Sequence, residues 1–148
     1  MPFRILSIDG GGLRGVVPLQ ILKEIKRRTG REIVDSFDLI AGTSTGGILA
    51  MAMNLKDPTN PAKPKYTLDE IEAIYSNHGK TIFPPRKWFI SKLYGKSRNM
   101  IRPRFSAKGL DSVLETYFGD TKLNDLLIPV FITSYDVRLY RPDRKSVV

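Results

Sequence analysis

One serine in the sequence has neighbours that are typical of a catalytic nucleophile. It is the central residue of Gly42-Thr43-Ser44-Thr45-Gly46, which follows a short apolar run and precedes a stretch of small and apolar residues. A GxSxG between a strand and a helix forms a sharp turn that lifts the serine hydroxyl above the sheet. The helix N-terminus behind that turn favours negative charge. The pattern predicts a nucleophile elbow at Ser44, and the alternative is a glycine-rich turn or an ordinary helix N-cap.

A second motif is a glycine-rich loop between a predicted strand and a predicted helix, Asp9-Gly10-Gly11-Gly12-Leu13-Arg14-Gly15. Consecutive glycines let the backbone turn several N–H groups toward one point. The N-terminus of the following helix adds partial positive charge, and Arg14 could add more. Such a loop can hold an anion or an oxyanion that develops during a reaction. The alternative is a tight glycine turn without a ligand.

The glycine-rich loop also satisfies a dinucleotide-binding fingerprint, because Asp35 lies 20 residues beyond Gly15. The acidic residue of that fingerprint belongs at the C-terminal end of the second strand, whereas Asp35 precedes the strand predicted here. The end of this strand carries the GxSxG instead, so we expect no dinucleotide. Together the two motifs indicate a serine acyl hydrolase, with the nucleophile at one strand end and oxyanion donors at the neighbouring one.

The choice of general base is narrowed by composition, since the chain has one histidine and no cysteine. Disulfides, a cysteine nucleophile and cysteine metal sites are therefore excluded, and a complete Ser-His-Asp triad has little room. His78 follows Ile74 and Tyr75 at helical spacing on an apolar face. We expect His78 to be a half-buried structural residue near a helix C-terminus, and the base to be a carboxylate.

Apolar periodicity places the two motifs on alternating strands and helices. Thr67 and Glu70 have the spacing of a capping box, and the helix that they open should stop at Gly79. The alternation predicts a parallel α/β sheet covered by helices. Three strands are few for such a sheet, so either strands are missed or the chain is part of a larger domain. The predicted strands are residues 3–8, 37–41 and 126–135, and the predicted helices are 13–28, 48–55, 68–78 and 110–118.

DGGGLRG followed by GTSTGG resembles the patatin-like phospholipase family. The FDLIAG run before Ser44 and the ITSYD segment at Ile132–Asp136 are similar as well, so the resemblance spans nearly the whole chain. It implies a three-layer α/β/α fold and an acyl-ester hydrolase that acts on membrane lipids through a Ser–Asp dyad. It also implies that Ser44 is the nucleophile, that N–H groups around Gly11 and Gly12 form the oxyanion hole, and that no metal or organic cofactor is needed. The family includes bacterial lipid hydrolases and defence effectors, between which the sequence does not choose.

One family feature is missing, namely the downstream DG[GA] motif that carries the catalytic Asp. The DGG in this sequence belongs to the glycine-rich loop, and we do not assign the role to Asp35, Asp38, Asp136 or Asp143. We therefore expect the 148 residues to be the N-terminal portion of one patatin-like domain, with an incomplete dyad and little hydrolysis of its own. The alternative is a non-catalytic module that binds lipids or anions.

The formal charge of +9 arises from one segment, which we call the basic segment, Lys80–Lys108. It has nine Lys or Arg, no Asp or Glu and five aromatic residues, while the rest of the chain has 15 charges of each sign. Basic residues among aromatic ones suit an anionic membrane surface, and the alternative is a solvated basic loop. No nucleic-acid-binding signature is present.

Because the sequence shows no signal peptide and no apolar run long enough to span a bilayer, we expect a cytoplasmic protein that is peripheral at the membrane. The residues of the basic segment that we expect to contact the membrane are Arg86, Lys87, Trp88, Phe89 and Lys92.

Overall fold

A computed structural model describes residues 2–82, 107–136 and 141–147. The five candidate membrane contacts, in the basic segment, lie outside the described residues. Within these residues, 3-10 helices lie at Gly12–Gly15 and Leu123–Asp125. The strands and α-helices, in chain order, are β1 (Ile5–Ile8), α1 (Val16–Thr29), α2 (Ile33–Ser36), β2 (Leu39–Thr43), α3 (Thr45–Ala52), α4 (Leu68–Ile82), α5 (Ala107–Phe118), β3 (Val130–Asp136) and β4 (Arg141–Val147).

The four strands form one sheet in the order β1-β2-β3-β4. Strands β1, β2 and β3 are parallel, and β4 is antiparallel to β3. Ile8 at the end of β1 lies beside Gly42 near the end of β2. Because both strands run in the same direction, the two segments that follow them leave the sheet at the same edge. This register therefore places the glycine-rich loop next to the GxSxG turn.

The core lies on the face of the sheet that α3 covers. Ile8, Ile40 and Val130 are buried on neighbouring strands, and Leu49 of α3 and Leu19 of α1 are fully buried in the same cluster. Removing these side chains from water is the main favourable contribution to folding. The predicted α/β fold with a mainly parallel sheet is confirmed.

A buried asparagine joins the end of α3 to the chain that enters β3. Asn54 is 0% exposed, and its Nδ2 donates to the carbonyl of Ala50 at 2.7 Å. Its side-chain oxygen accepts from the N–H of Ile128 at 3.2 Å, and its backbone carbonyl accepts from Leu127 at 3.0 Å. A buried polar side chain is tolerated where it is hydrogen-bonded in this way. Asn54 thus helps to set where β3 starts.

Helix α4 begins as predicted but does not end at Gly79. The backbone N–H of Thr67 donates to Glu70 Oε2 at 2.8 Å, and the N–H of Glu70 donates to Thr67 Oγ1 at 3.2 Å, which forms the capping box. The hydrogen bond from the Thr67 backbone lowers the pKa of Glu70. Gly79 lies inside the helix, where a Cβ would be 2.7 Å from Leu13 Cδ2. The glycine therefore permits close packing and does not terminate the helix.

Two elements have no counterpart in the sequence prediction. Helix α2 is a single turn with two buried apolar residues, Ile33 and Val34. Strand β4 covers the polar stretch after β3, for which the sequence predicts no element because it lacks apolar alternation. It pairs with β3 through the backbone, and charged residues and proline are common on edge strands because they discourage further pairing.

Candidate active site

Ser44 is a single residue between β2, which ends at Thr43, and α3, which begins at Thr45. Its φ is 54° and its ψ is −120°. In the described part of the chain, it is the only non-glycine residue with positive φ. A backbone conformation of this kind costs about 1–3 kcal/mol and is frequent at functional sites. Ser44 is also exposed, and its side chain makes no capping hydrogen bond to α3. The N-cap alternative therefore does not account for this serine, whereas the strand–turn–helix arrangement of an elbow does.

Two glycines allow the elbow to pack directly on the backbone around it. A Cβ on Gly46 would lie 2.1 Å from the carbonyl oxygen of Ile8, and a Cβ on Gly42 would lie 2.4 Å from the carbonyl oxygen of Gly46. Neither distance can accommodate a carbon atom, so both positions require glycine. The absence of side chains at these two positions lets the first turn of α3 pack directly against the end of β1. The elbow and the glycine-rich loop are consequently neighbours.

The glycine-rich loop runs directly alongside the serine. A Cβ on Gly10 would lie 2.5 Å from the carbonyl oxygen of Thr43 and 2.8 Å from Ser44 Cβ. Beyond this contact the chain forms the 3-10 helix, in which the N–H of Arg14 donates to the Gly11 carbonyl at 3.1 Å. The predicted α-helix from residue 13 therefore begins only at Val16. The structure brings Gly10 against Ser44, and Gly10, Gly11 and Arg14 are all exposed.

A tyrosine that the motifs did not reveal contacts both segments. Tyr75 of α4 donates a hydrogen bond from its hydroxyl to the carbonyl of Thr45 at 3.1 Å. A Cβ on Gly15 would lie 2.6 Å from Thr45 Cγ2 and 3.3 Å from Tyr75 Cε1. Apolar periodicity places Tyr75 on the buried face of its helix, but nothing in the sequence connects it with Ser44, 31 positions away.

His78 has the structural surroundings that we expected. It is half-buried, and its Nε2 lies 2.9 Å from the hydroxyl of Tyr117 on α5, with the two rings 5.5 Å apart and edge to face. This pair joins α4 to α5. The histidine therefore packs between two helices.

The carboxylates that we left unassigned differ in position. Asp38 lies at the amino end of β2, opposite to the end that carries Ser44, and its Oδ2 accepts the backbone N–H of Arg4 at 2.7 Å. This bond lowers the pKa of Asp38. Asp35 is exposed on α2, and for Asp136 and Asp143 the structure describes the backbone but not the side chain. Among the described side chains, no carboxylate is hydrogen-bonded to Ser44 Oγ, and no three acidic or histidine residues are grouped to hold a metal ion.

The fold and the site together define an α/β protein with a strained serine turn and a glycine-rich loop at the carboxyl ends of two parallel strands in a mainly parallel sheet. A model of the family described as patatin-like phospholipase matches residues 6–147. The chain therefore belongs to the patatin-like phospholipase family, as the resemblance of its two motifs predicted.

Several curated plant proteins are similar to this chain. It is 38% identical over 144 residues to patatin-like protein 2 of Oryza sativa, and 36% identical over 154 residues to patatin-like protein 3 of Arabidopsis thaliana. It is 33% identical over 145 residues to patatin-17 of Solanum cardiophyllum. Each comparison covers 93% of this chain. The chain spans about a third of the length of these relatives, at 35%, 35% and 34%.

Proposed function

We propose that this protein is a lipid acyl hydrolase of the phospholipase A or lysophospholipase type, with Ser44 as its nucleophile. One observation carries the proposal: the only strained non-glycine residue of the described chain is an exposed serine with the glycine-rich loop packed against it. Membership of the patatin-like phospholipase family supports hydrolysis of lipid esters in general terms. The assignment of Ser44 as the nucleophile goes beyond what family membership supports.

The proposed reaction has two steps. A carboxylate takes the proton of Ser44, whose Oγ attacks the ester carbonyl, and N–H groups around Gly11 and Gly12 stabilise the oxyanion by about 3 kcal/mol for each donor. The lipid alcohol leaves with a proton, and water then hydrolyses the acyl-enzyme with help from the same carboxylate. As the family resemblance implies, we assign the carboxylate to an Asp outside these 148 residues.

The nucleophile is tested with a fluorophosphonate probe on the full-length protein. We expect the probe to label the wild-type protein at Ser44, as located by peptide mass spectrometry, and to leave Ser44→Ala unlabelled. The matched control is Ser76→Ala, which removes an exposed hydroxyl on α4 and should label like the wild type. Equal labelling of wild type and Ser44→Ala would overturn the assignment.

A non-catalytic lipid-binding module is the second candidate. One similar protein, 31% identical over 145 residues, carries the name probable inactive patatin-3-Kuras 1, of Solanum tuberosum. If this chain also came from an inactive protein, the full-length wild type would neither react with the probe nor release fatty acid from phospholipid vesicles. Vesicle binding would then be the same for wild type and Ser44→Ala.

We also propose that the basic segment contacts an anionic membrane, which the nine positive charges without an acidic residue support. Among the described helices, none is both long and apolar enough to cross a bilayer. Changing Lys87, Lys92 and Lys96 to Gln should weaken sedimentation with phosphatidylserine vesicles. The matched control changes the exposed Lys56, Lys63 and Lys65 to Gln, removing the same charge elsewhere. Equal binding of both triple variants would reject this surface.

A further inference from the structure

We propose that Tyr75 is a positioning residue that holds the serine elbow in register with the glycine-rich loop. The inference rests on the proposed function, because it assigns to Tyr75 the task of aligning the nucleophile with the oxyanion donors. Tyr75 itself is too deeply buried to meet a substrate, being 4% exposed. Its effect on the reaction would therefore be transmitted through the residues that it contacts.

The contact between Tyr75 and the elbow is a hydrogen bond that is shielded from water. The Tyr75 hydroxyl donates to the carbonyl oxygen of Thr45 at 3.1 Å, and Thr45 is 1% exposed. Thr45 follows Ser44 directly, so its peptide group continues the backbone of the strained residue. In a site of low polarity, this hydrogen bond is stronger than the same bond in water. It opposes relaxation of the turn around Ser44.

The same tyrosine touches the end of the glycine-rich loop. The Tyr75 ring and the Thr45 methyl group both approach Gly15, at which a Cβ would be 3.3 Å from Cε1 of the ring and 2.6 Å from Cγ2 of the threonine. Gly15, Thr45 and Tyr75 therefore meet at one point, although they belong to three different elements. A shift of Tyr75 would move the elbow and the loop relative to each other.

The helix that carries Tyr75 is held by a second set of contacts. Lys23 of α1 forms ion pairs with Asp69 and Glu72 of α4, and Gln20 Nε2 donates to Glu72 Oε1 at 2.7 Å. Helix α1 follows the glycine-rich loop directly, through the 3-10 helix. Helix α4, which carries Tyr75, is therefore held against α1, the helix that follows the glycine-rich loop. This arrangement fixes the position of Tyr75 between the loop and the elbow.

Tyr75 contacts the backbone carbonyl of Thr45 and not the hydroxyl of the threonine side chain. Thr45 Oγ1 is buried and has no hydrogen-bond partner among the described residues. The hydroxyl of Thr45 therefore makes no hydrogen bond with Tyr75, and a buried hydroxyl without a partner does not add to stability. We expect Thr45→Val, which keeps the methyl group against Gly15, to preserve the contact with Tyr75. Burial also raises the pKa of Tyr75, which keeps its hydroxyl a donor in alkaline solution.

The experiment compares Tyr75→Phe with Tyr66→Phe in the full-length protein. The control also loses a phenol hydroxyl that donates to a backbone carbonyl, that of Tyr117 at 3.2 Å, but away from both motifs. Three measurements are made: the rate of labelling by the fluorophosphonate probe, kcat and KM for release of fatty acid from phospholipid vesicles, and hydrogen exchange of the backbone amides at residues 12–16 and 45–48. We expect Tyr75→Phe to slow labelling about tenfold or more, to lower kcat with little change in KM, and to speed exchange in both segments.

The control separates positioning from general stability. Tyr66→Phe should change labelling and exchange by less than about twofold, even where urea unfolding shows a similar loss of stability. Equal labelling rates and unchanged exchange in Tyr75→Phe would overturn the inference. If the wild type does not react at all, the proposed function fails, while hydrogen exchange still decides the role of Tyr75: faster exchange in both segments supports it, and unchanged exchange rejects it.

Discussion

The serine elbow and the contact between α4 and α5 are built in different ways. At the elbow, backbone meets backbone, because Gly46 lies against the Ile8 carbonyl and Gly42 lies against Gly46. Between α4 and α5, side chains make the contact: His78 bonds to the Tyr117 hydroxyl, and the ring of Tyr66 meets that of Tyr117 edge to face at 6.2 Å. The local geometry at Ser44 therefore depends on the absence of side chains, whereas the packing of α4 on α5 depends on the shape of side chains.

The two regions also differ in how completely they are filled. A small apolar cavity of about 20 Å³ remains between α3, α4 and α5, lined by residues that include Ile48, Ile71 and Val113. At the elbow, in contrast, a single added carbon would overlap with backbone atoms. Loosely filled apolar regions tolerate changes of shape better than tightly packed ones. We therefore expect substitutions in the two regions to have unequal costs.

The largest effect is expected from Gly46→Ala, which would force a methyl group into the Ile8 carbonyl. We expect the free energy of unfolding to fall by about 3 kcal/mol or more, or the protein to misfold. Gly30→Ala is the control, since Gly30 has a φ of 66° but nothing within 4 Å of its Cβ position. It should cost about 1 kcal/mol, from backbone strain alone. Urea unfolding measures both, and equal losses would show that close approach at the elbow is unimportant.

Asn54→Ala should have the next largest effect, because it removes a fully buried side chain and leaves the part-buried N–H of Ile128 without its acceptor. We expect a loss of about 2 kcal/mol in urea unfolding. Asn60→Ala is the matched control in an exposed loop, where the side chain accepts only a long 3.4 Å hydrogen bond from Ala62. If the control is as destabilising as Asn54→Ala, the cost does not come from burial.

Tyr117→Phe tests the side-chain region and should have a smaller effect. The variant loses the hydrogen bond to His78 but keeps the ring contacts and the backbone carbonyl that accepts from Tyr66. We expect a loss of about 1 kcal/mol in urea unfolding and no change in probe labelling of Ser44. A loss as large as that of Gly46→Ala would remove the distinction between the two regions.

The smallest effect is expected on the surface of α1. Hydrogen bonds from Arg27 and then Arg28 lower the pKa of Glu24 to about 2. Because the pKa is lowered in the folded state, this contribution to stability is present above the ordinary pKa of Glu and is lost as the pH falls toward about 2. Glu24→Gln should therefore slightly flatten the dependence of unfolding free energy on pH in this acidic range. Since the pair is exposed, salt should reduce the difference, and a difference that persists in high salt would contradict this cause.

The sequence predicts the turn at Ser44 better than it predicts the ends of the helices and strands. Spacing alone places Ser44 between β2 and α3, because a sharp strand–helix turn requires glycines at fixed offsets. The capping box at Thr67 and Glu70 is likewise a local pattern. Gly79 was misjudged, since a glycine that ends a helix and one that allows close packing look the same in sequence. Strand β4 was missed because its partner, and not its own pattern, makes it a strand.

The sequence is sufficient to recognise a serine in GxSxG, a loop of consecutive glycines, and the alternation of strands and helices that carries them. The contact between Gly10 and Ser44, and the position of Tyr75 between the elbow and the loop, arise only in the folded chain. The physical reason is the range of the interactions. Turn geometry depends on residues within a few positions, whereas these contacts depend on sheet register and helix packing between segments about 30 residues or more apart along the chain.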